Sequence, residues 1–183
     1  MKKKLFTPLL LCILFVNCSF PSYKRITQTN LNFLNNDGMA VGTISLENIK
    51  KISGRHSFAF KVLRYDFSEF NFNVDENPNS QPDVINIKNS NFDIKENDKR
   101  IYLFSIVRPA GKYEFNLIQI HINTGSMQSV HTLPIKVPFK IEKGKITYVG
   151  EINFKVKKAQ VQLIDNVEYD RKLFQDRYPD IKF

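Results

Sequence analysis

The 183-residue chain has two cysteines, Cys12 and Cys18, and none beyond them. Everything downstream of Cys18 is therefore without a disulfide framework, a thiolate metal site or a cysteine nucleophile. Tryptophan is absent. No apolar run reaches the roughly 20 residues that a membrane-crossing helix needs. The longest, Leu5 to Val16, is interrupted by Thr7 and Pro8, and polar Asn17, Ser19 and Ser22 follow it. The three histidines, His56, His121 and His131, do not fall at zinc-ligand spacing, and the HExxH pattern is missing. So are the Gly-x-Ser-x-Gly elbow and a glycine-rich phosphate cradle. Asp75, Glu76 and Asp83 share a loop but lack the acidic rhythm of a calcium loop, and read as solvated charge. On these grounds no catalytic residue, metal or cofactor is expected.

The chain begins with a positive cluster, Lys2-Lys3-Lys4, followed by the apolar run to Val16. That is the n-region and h-region pattern of a secretory leader, which exports a chain and is then removed. Its loss would take three lysines and lower the formal charge from +9 to about +6. A moderate positive excess on an exported chain suits anionic partners such as sulfated glycans, lipid head groups or acidic protein patches. Nucleic acid is not expected as a partner, because an exported chain rarely meets it.

The leader ends Leu14-Phe15-Val16-Asn17-Cys18-Ser19, which resembles the lipobox of bacterial prolipoproteins. The resemblance implies that Cys18 takes a diacylglyceryl group, that a peptidase cuts on its amino side, and that the new amine is acylated. Asn17 departs from the usual Gly, Ala or Ser and resembles the looser boxes of spirochaete lipoproteins. An ordinary leader needs an Ala-x-Ala-like site, and the first alanine is Ala40. One acyl chain holds a protein to a membrane only marginally, at roughly 0.8 kcal/mol per buried methylene, whereas two or three hold it firmly. Residues 1–17 are thus read as signal peptide, 18–37 as a polar tether from the lipid on Cys18, and 38–183 as one domain.

Within that domain the apolar period is two rather than 3.6, the signature of strands. Met39 to Leu46 forms one run. Phe58, Phe60 and Val62 mark a second, and Phe70, Phe72 and Val74 a third. Short runs follow at Val84 to Ile87 and Phe92 to Ile94. Ile101 to Val107 is apolar at nearly every position, as in a strand covered on both faces. From Lys112 to Ile122 the apolar set moves from odd to even positions, which predicts a bulge near Leu117. Ile135 to Ile141 and Ile146 to Val156 alternate on either side of Lys143-Gly144 and read as a hairpin. Pro138 puts its strand at a sheet edge. Ala159, Val161 and Leu163 extend another strand. Asp165 or Asn166 can cap a helix to about Tyr178, stopped by Pro179. The expectation is an all-β, antiparallel Greek-key sandwich of eight or nine strands with one short C-terminal helix.

Pro109-Ala110-Gly111-Lys112-Tyr113 and Gly144-Lys145-Ile146-Thr147-Tyr148-Val149-Gly150 resemble segments of bacterial lipoproteins that carry transthyretin-like or immunoglobulin-like β-sandwich domains. The resemblance implies a fold and no reaction.

The candidate ligand-binding residues are basic: Lys136, Lys140, Lys143, Lys145, Lys155 and Lys157, continued by Lys158 and opposed by Glu142 and Glu151 alone. Lysines on an exposed strand also guard against edge-to-edge pairing. The functional expectation is a non-enzymatic lipoprotein of the outer membrane, displayed at the cell surface, that binds host matrix proteins, complement-regulatory proteins or anionic glycans. The alternative is a structural or assembly lipoprotein facing the periplasm.

Overall fold

The computed structural model describes residues 37–47, 61–71, 84–88, 91–123 and 128–183. Nine strands and one α-helix lie among them: β1 (Asp37–Glu47), β2 (Lys61–Asn71), β3 (Val84–Lys88), β4 (Ile94–Glu96), β5 (Lys99–Pro109), β6 (Gly111–Asn123), β7 (Gln128–Ile141), β8 (Ile146–Lys155), β9 (Gln160–Ile164) and α1 (Val167–Arg177). The fold is all-β. One sheet has the order β4-β5-β1-β8-β9 and the other β3-β2-β6-β7.

Alternation explains why the sheets stack. Ile44 and Leu46 of β1, Phe104 of β5 and Phe154 of β8 share one core with Tyr65 and Phe67 of β2 and Phe115 of β6. Aromatic rings interlock across it: Tyr65 meets Phe154 edge-on at 5.8 Å, and Phe104 meets Phe115 in the same way at 5.8 Å. The opposite face of the five-stranded sheet is also covered. Met39, Val41 and Leu103 pack there against Phe174 of α1 and Ile181 beyond it. The near-continuous apolar run of β5 is thus buried on both faces, by a sheet on one side and a helix on the other.

The chain changes sheets four times, between β1 and β2, β3 and β4, β5 and β6, and β7 and β8, and the last two crossings are tight corners. Only Ala110 separates β5 from β6, which lie in different sheets. The buried Tyr113 hydroxyl donates to the Pro109 carbonyl at 2.7 Å and ties the corner together. This is the physical content of the Pro-x-Gly-x-Tyr segment. The second corner corrects the expected hairpin. β7 pairs with β6 and β8 pairs with β1, so Lys143-Gly144 joins strands of different sheets. Gly144, at φ 66°, donates its N–H to the Asp37 carbonyl at 2.8 Å. The turn crosses so close to Gly38 that a Cβ there would lie 2.1 Å from the Glu142 oxygen. Alternation tells which face a strand buries, not which strand is its neighbour, and both strands bury a face in the same core.

The antiparallel expectation also needs correction, because β1 and β8 run parallel. A hairpin return would have made β8 antiparallel to its predecessor; the corner frees it to align with β1 instead. Of the two runs expected at Phe58 to Val62 and Phe70 to Val74, Val62 and Phe70 lie in one strand, β2, and Phe58, Phe60, Phe72 and Val74 lie outside the described residues. Between Val62 and Phe70, Tyr65 and Phe67 are fully buried. Other readings hold. The register slips between Phe115 and Leu117, β7 is an edge strand, and α1 begins after Asn166 and ends before Tyr178.

Candidate functional site

Lys136 and Lys140 lie on edge strand β7 and are exposed. Lys143 and Lys145 belong to the turn that follows, Lys155 is the last residue of β8, and Lys157 lies in a 3₁₀ turn at Val156–Lys158. Glu142 organises the first group. It accepts from Lys145 Nζ at 2.7 Å and from Lys140 Nζ at 3.2 Å. Hydrogen bonding to Lys145, then to Lys140, holds its carboxyl below the usual carboxylate range. Lys155 Nζ instead reaches Gln162 Oε1 at 2.8 Å.

The odd positions of β8 do not form a solvent face. Glu151 and Asn153 are among them and are buried, 2% and 0% exposed. Lys145 and Lys155 flank the ends of a ten-residue strand, about 30 Å apart at the rise of an extended chain. The lysines therefore divide into a corner group, Lys140, Lys143 and Lys145, and a far group, Lys155, Lys157 and Lys158. Lys136 lines one wall of a groove whose other wall starts at Ala159, next in the chain to the far group.

That groove is the mouth of the two-sheet core. Leu133, Ile135 and Val137 of β7 form one wall; Ala159, Val161 and Leu163, at or just before β9, form the other. Its volume is about 150 Å³. Leu163 is 47% exposed, high for a large apolar side chain on an inner face.

A polar network missed by sequence reasoning lies between the five-stranded sheet and α1. Asp170, fully buried, accepts from Thr43 Oγ1 at 2.8 Å and from the Tyr148 hydroxyl at 2.7 Å. Burial pushes its carboxyl above the usual range and, with Asp170 beside it, pushes the Tyr148 phenol up strongly. Glu151 accepts from Ser45 Oγ at 2.5 Å, Lys99 Nζ at 2.5 Å and Asn166 Nδ2 at 3.1 Å. Burial would raise its carboxyl, but the Lys99 ammonium and the Ser45 and Asn166 donors outweigh it and hold it below the usual range. Asn153 Nδ2 bridges Ser45 and Glu47 at 2.9 and 2.7 Å. Arg177 reaches Asp93 at 3.4 Å, and Tyr169 donates to Glu96. Most of these polar atoms are spent within the network, although Asp170 Oδ1 and Asn153 Oδ1 are buried without a hydrogen-bond partner, and the arrangement fixes the helix to the sheet. The sequence signal was the pairing of Thr43 and Ser45 with Glu151 and Asn153 on alternating strands, where apolar residues would be expected if the face were buried.

His121 packs against Asp66 on the outer face of the four-stranded sheet, Nε2 to Oδ2 2.7 Å, with Arg64 Nε at 3.0 Å from the same oxygen. His131 lies in β7. His56, Asp75, Glu76, Asp83, Cys18 and the tether as far as residue 36 lie outside the described residues, while Asp37 is the first residue of β1. Among the described residues no three His, Cys, Asp or Glu side chains are grouped to hold a metal ion, and no helix is long and apolar enough to cross a membrane.

No family model matches the chain, and no curated protein matches it. A leucine-rich repeat protein from Bacteroides thetaiotaomicron, known from its crystal structure, is similar at a TM-score of 0.37 and 16% identity. The match covers 77% of this chain and spans 16% of that one.

Proposed function

We propose that this chain is a lipid-anchored lipoprotein of the outer membrane, displayed at the cell surface, whose β-domain binds extracellular anionic ligands without catalysing a reaction. The observation that carries the binding half is the β7–β8 corner, where Lys140 and Lys145 hold the carboxylate of Glu142 and exposed Lys143 follows it in the turn. Three ammonium groups on a short exposed turn with one opposing charge make a field that attracts sulfates and carboxylates. Sulfated glycans and acidic regions of host matrix or complement-regulatory proteins are the ligand classes. The anchoring half rests on Lys2 to Ser19, with Cys18 as the acylated residue and residues 18–37 as the tether.

In finer terms the fold is a Greek-key sandwich of the transthyretin-like or immunoglobulin-like kind. The shared core of the two sheets and the tyrosine-tied corner at Pro109 support that reading.

Two measurements test the proposal. Radiolabelled palmitate should enter the wild-type chain and not a Cys18→Ala variant, and protease added to intact cells should remove the domain. Protection from protease would move the chain to the periplasm-facing structural role. On heparin, the triple substitution of Lys140, Lys145 and Lys155 by Glu should elute at markedly lower salt. Unchanged elution would remove the basic residues from the reading.

A further inference from the structure

The groove between β7 and β9 has the form of a sandwich lacking a strand. Each of its walls is the last strand of its sheet, and the inner-face side chains of both stand open where the next strand would cover them. The two edges are not equivalent. β7 carries Pro134 and Pro138, which have no N–H to donate, and these with Lys136 guard the edge against pairing. β9 has no proline and no lysine in its five residues, Gln-Val-Gln-Leu-Ile. It pairs with β8 on one side, and among the described residues no strand lies on the other. Leu163, on the groove face of this strand, is 47% exposed. A backbone ladder is thus available beside apolar pockets for alternate side chains, the two elements of recognition by strand addition.

Charge selects the occupant. Lys136 stands on one wall, and Lys157 and Lys158 lead directly into the other; all three are exposed, and among the described residues no carboxylate lines the groove. A second copy of this chain would bring the same lysines against them. We propose that the free edge of β9 accepts an extended segment of another protein, with apolar side chains at alternate positions and acidic side chains between them. The inference rests on the reading of this domain as a binding module, but not on the corner lysines that support that reading.

The probe is a fluorescent octapeptide of alternating valine and glutamate, measured by polarisation against the full chain purified in detergent. Saturable binding is expected, with hydrogen-exchange protection at residues 160–164 and not along β7. Leu163→Gln and Lys136→Glu should each weaken it by roughly ten-fold, the former without altering heparin retention. An alternating valine and lysine octapeptide should not bind. Absence of saturable binding, equal affinity in Leu163→Gln, or equal binding of the lysine peptide would each overturn the inference. If that happens while heparin retention still depends on Lys140 and Lys145, the corner reading survives alone. If the glutamate peptide binds and heparin retention ignores those lysines, the corner reading falls and the groove stands.

Discussion

Thr43 and Asp170 stand 127 positions apart in sequence and meet in the interior through a 2.8 Å hydrogen bond. Tyr148 donates to the same carboxylate oxygen at 2.7 Å, so one side chain in the first turn of α1 holds the helix to both β1 and β8. Asp170→Ala would leave two buried hydroxyls without their acceptor. Each such orphan costs about 1–3 kcal/mol, so a loss of roughly 2–4 kcal/mol is expected in urea denaturation. Asp170→Asn keeps a carbonyl acceptor and removes a buried charge. It should cost at least about 1 kcal/mol less than the alanine change. Equal losses would mean that the hydroxyls have found other partners.

The two buried carboxylates respond to pH with opposite sign. The folded-state pKa of Asp170 is raised, chiefly by burial, so its contribution is fully present below the ordinary carboxylate pKa and is lost as pH rises through the folded value. That of Glu151 is lowered, so its contribution is present above the unfolded pKa and lost as pH falls through the folded value. Asp170→Asn should therefore abolish the fall in stability between acidic and neutral pH while leaving the acid limb in place. Denaturant midpoints taken across that range check it; a wild-type profile that Asp170→Asn leaves unaltered would contradict the assignment.

Lys99 is drawn onto Glu151, 2.5 Å from it, with side-chain exposures of 22% and 3%. Lys99→Met would strand a carboxylate beneath α1, at a cost of roughly 3 kcal/mol at neutral pH. Its pKa would then rise, and acidification should recover part of the loss. Adding Glu151→Gln to Lys99→Met should restore stability at neutral pH and erase that acid recovery. The cycle separates the ion pair from the packing of the lysine stem.

Much of this fold was legible because alternation and turn chemistry are local. Pro138 marked an edge, the parity change in Lys112 to Ile122 marked a bulge, and Asn166 and Pro179 bracketed the helix. What was not legible depends on partners distant in sequence. Ile135 to Ile141 and Ile146 to Val156 look like a hairpin whether or not they pair, because each buries one face in a common core. The polar residues Glu151 and Asn153 looked solvent-facing because nothing local announces that a helix carrying Asp170 and Asn166 will cover them. The lysines were legible as charge, but their separation into two groups followed only from the corner. The groove emerged only when β7 and β9 were both placed at sheet edges.

Gly150 links the register shift of β8 to that groove. It sits at φ 120°, just after the shift against β1 between Val41 and Gly42, and a Cβ there would lie 2.7 Å from Leu163 Cδ1. The leucine is half exposed and can swing aside, so backbone strain dominates the cost of Gly150→Ala. A loss of about 1–3 kcal/mol is expected. The displaced Leu163 should also weaken the glutamate octapeptide at denaturant concentrations where the variant remains folded. Loss of stability with intact peptide affinity would show that Leu163 does not form the wall assigned to it.

Glu142 offers the cleanest charge test because removing it should strengthen binding. The carboxylate is exposed and holds Lys140 and Lys145 at 3.2 and 2.7 Å. Surface ion pairs of this kind contribute little to folding, so Glu142→Gln should leave the denaturation midpoint close to that of wild type. Electrostatically the change is larger: it raises the local charge by one unit and releases two ammonium groups toward solvent. If the corner is where anionic ligands dock, Glu142→Gln should elute from heparin at higher salt than wild type. The dependence of retention on salt should steepen by about one ion, since the strength of such contacts scales with the counterions they release. Lys143→Glu, at the tip of the same turn, should shift elution the other way. Elution that ignores both substitutions would place any glycan contact away from the corner, at Lys136, Lys155 and Lys157 beside the groove.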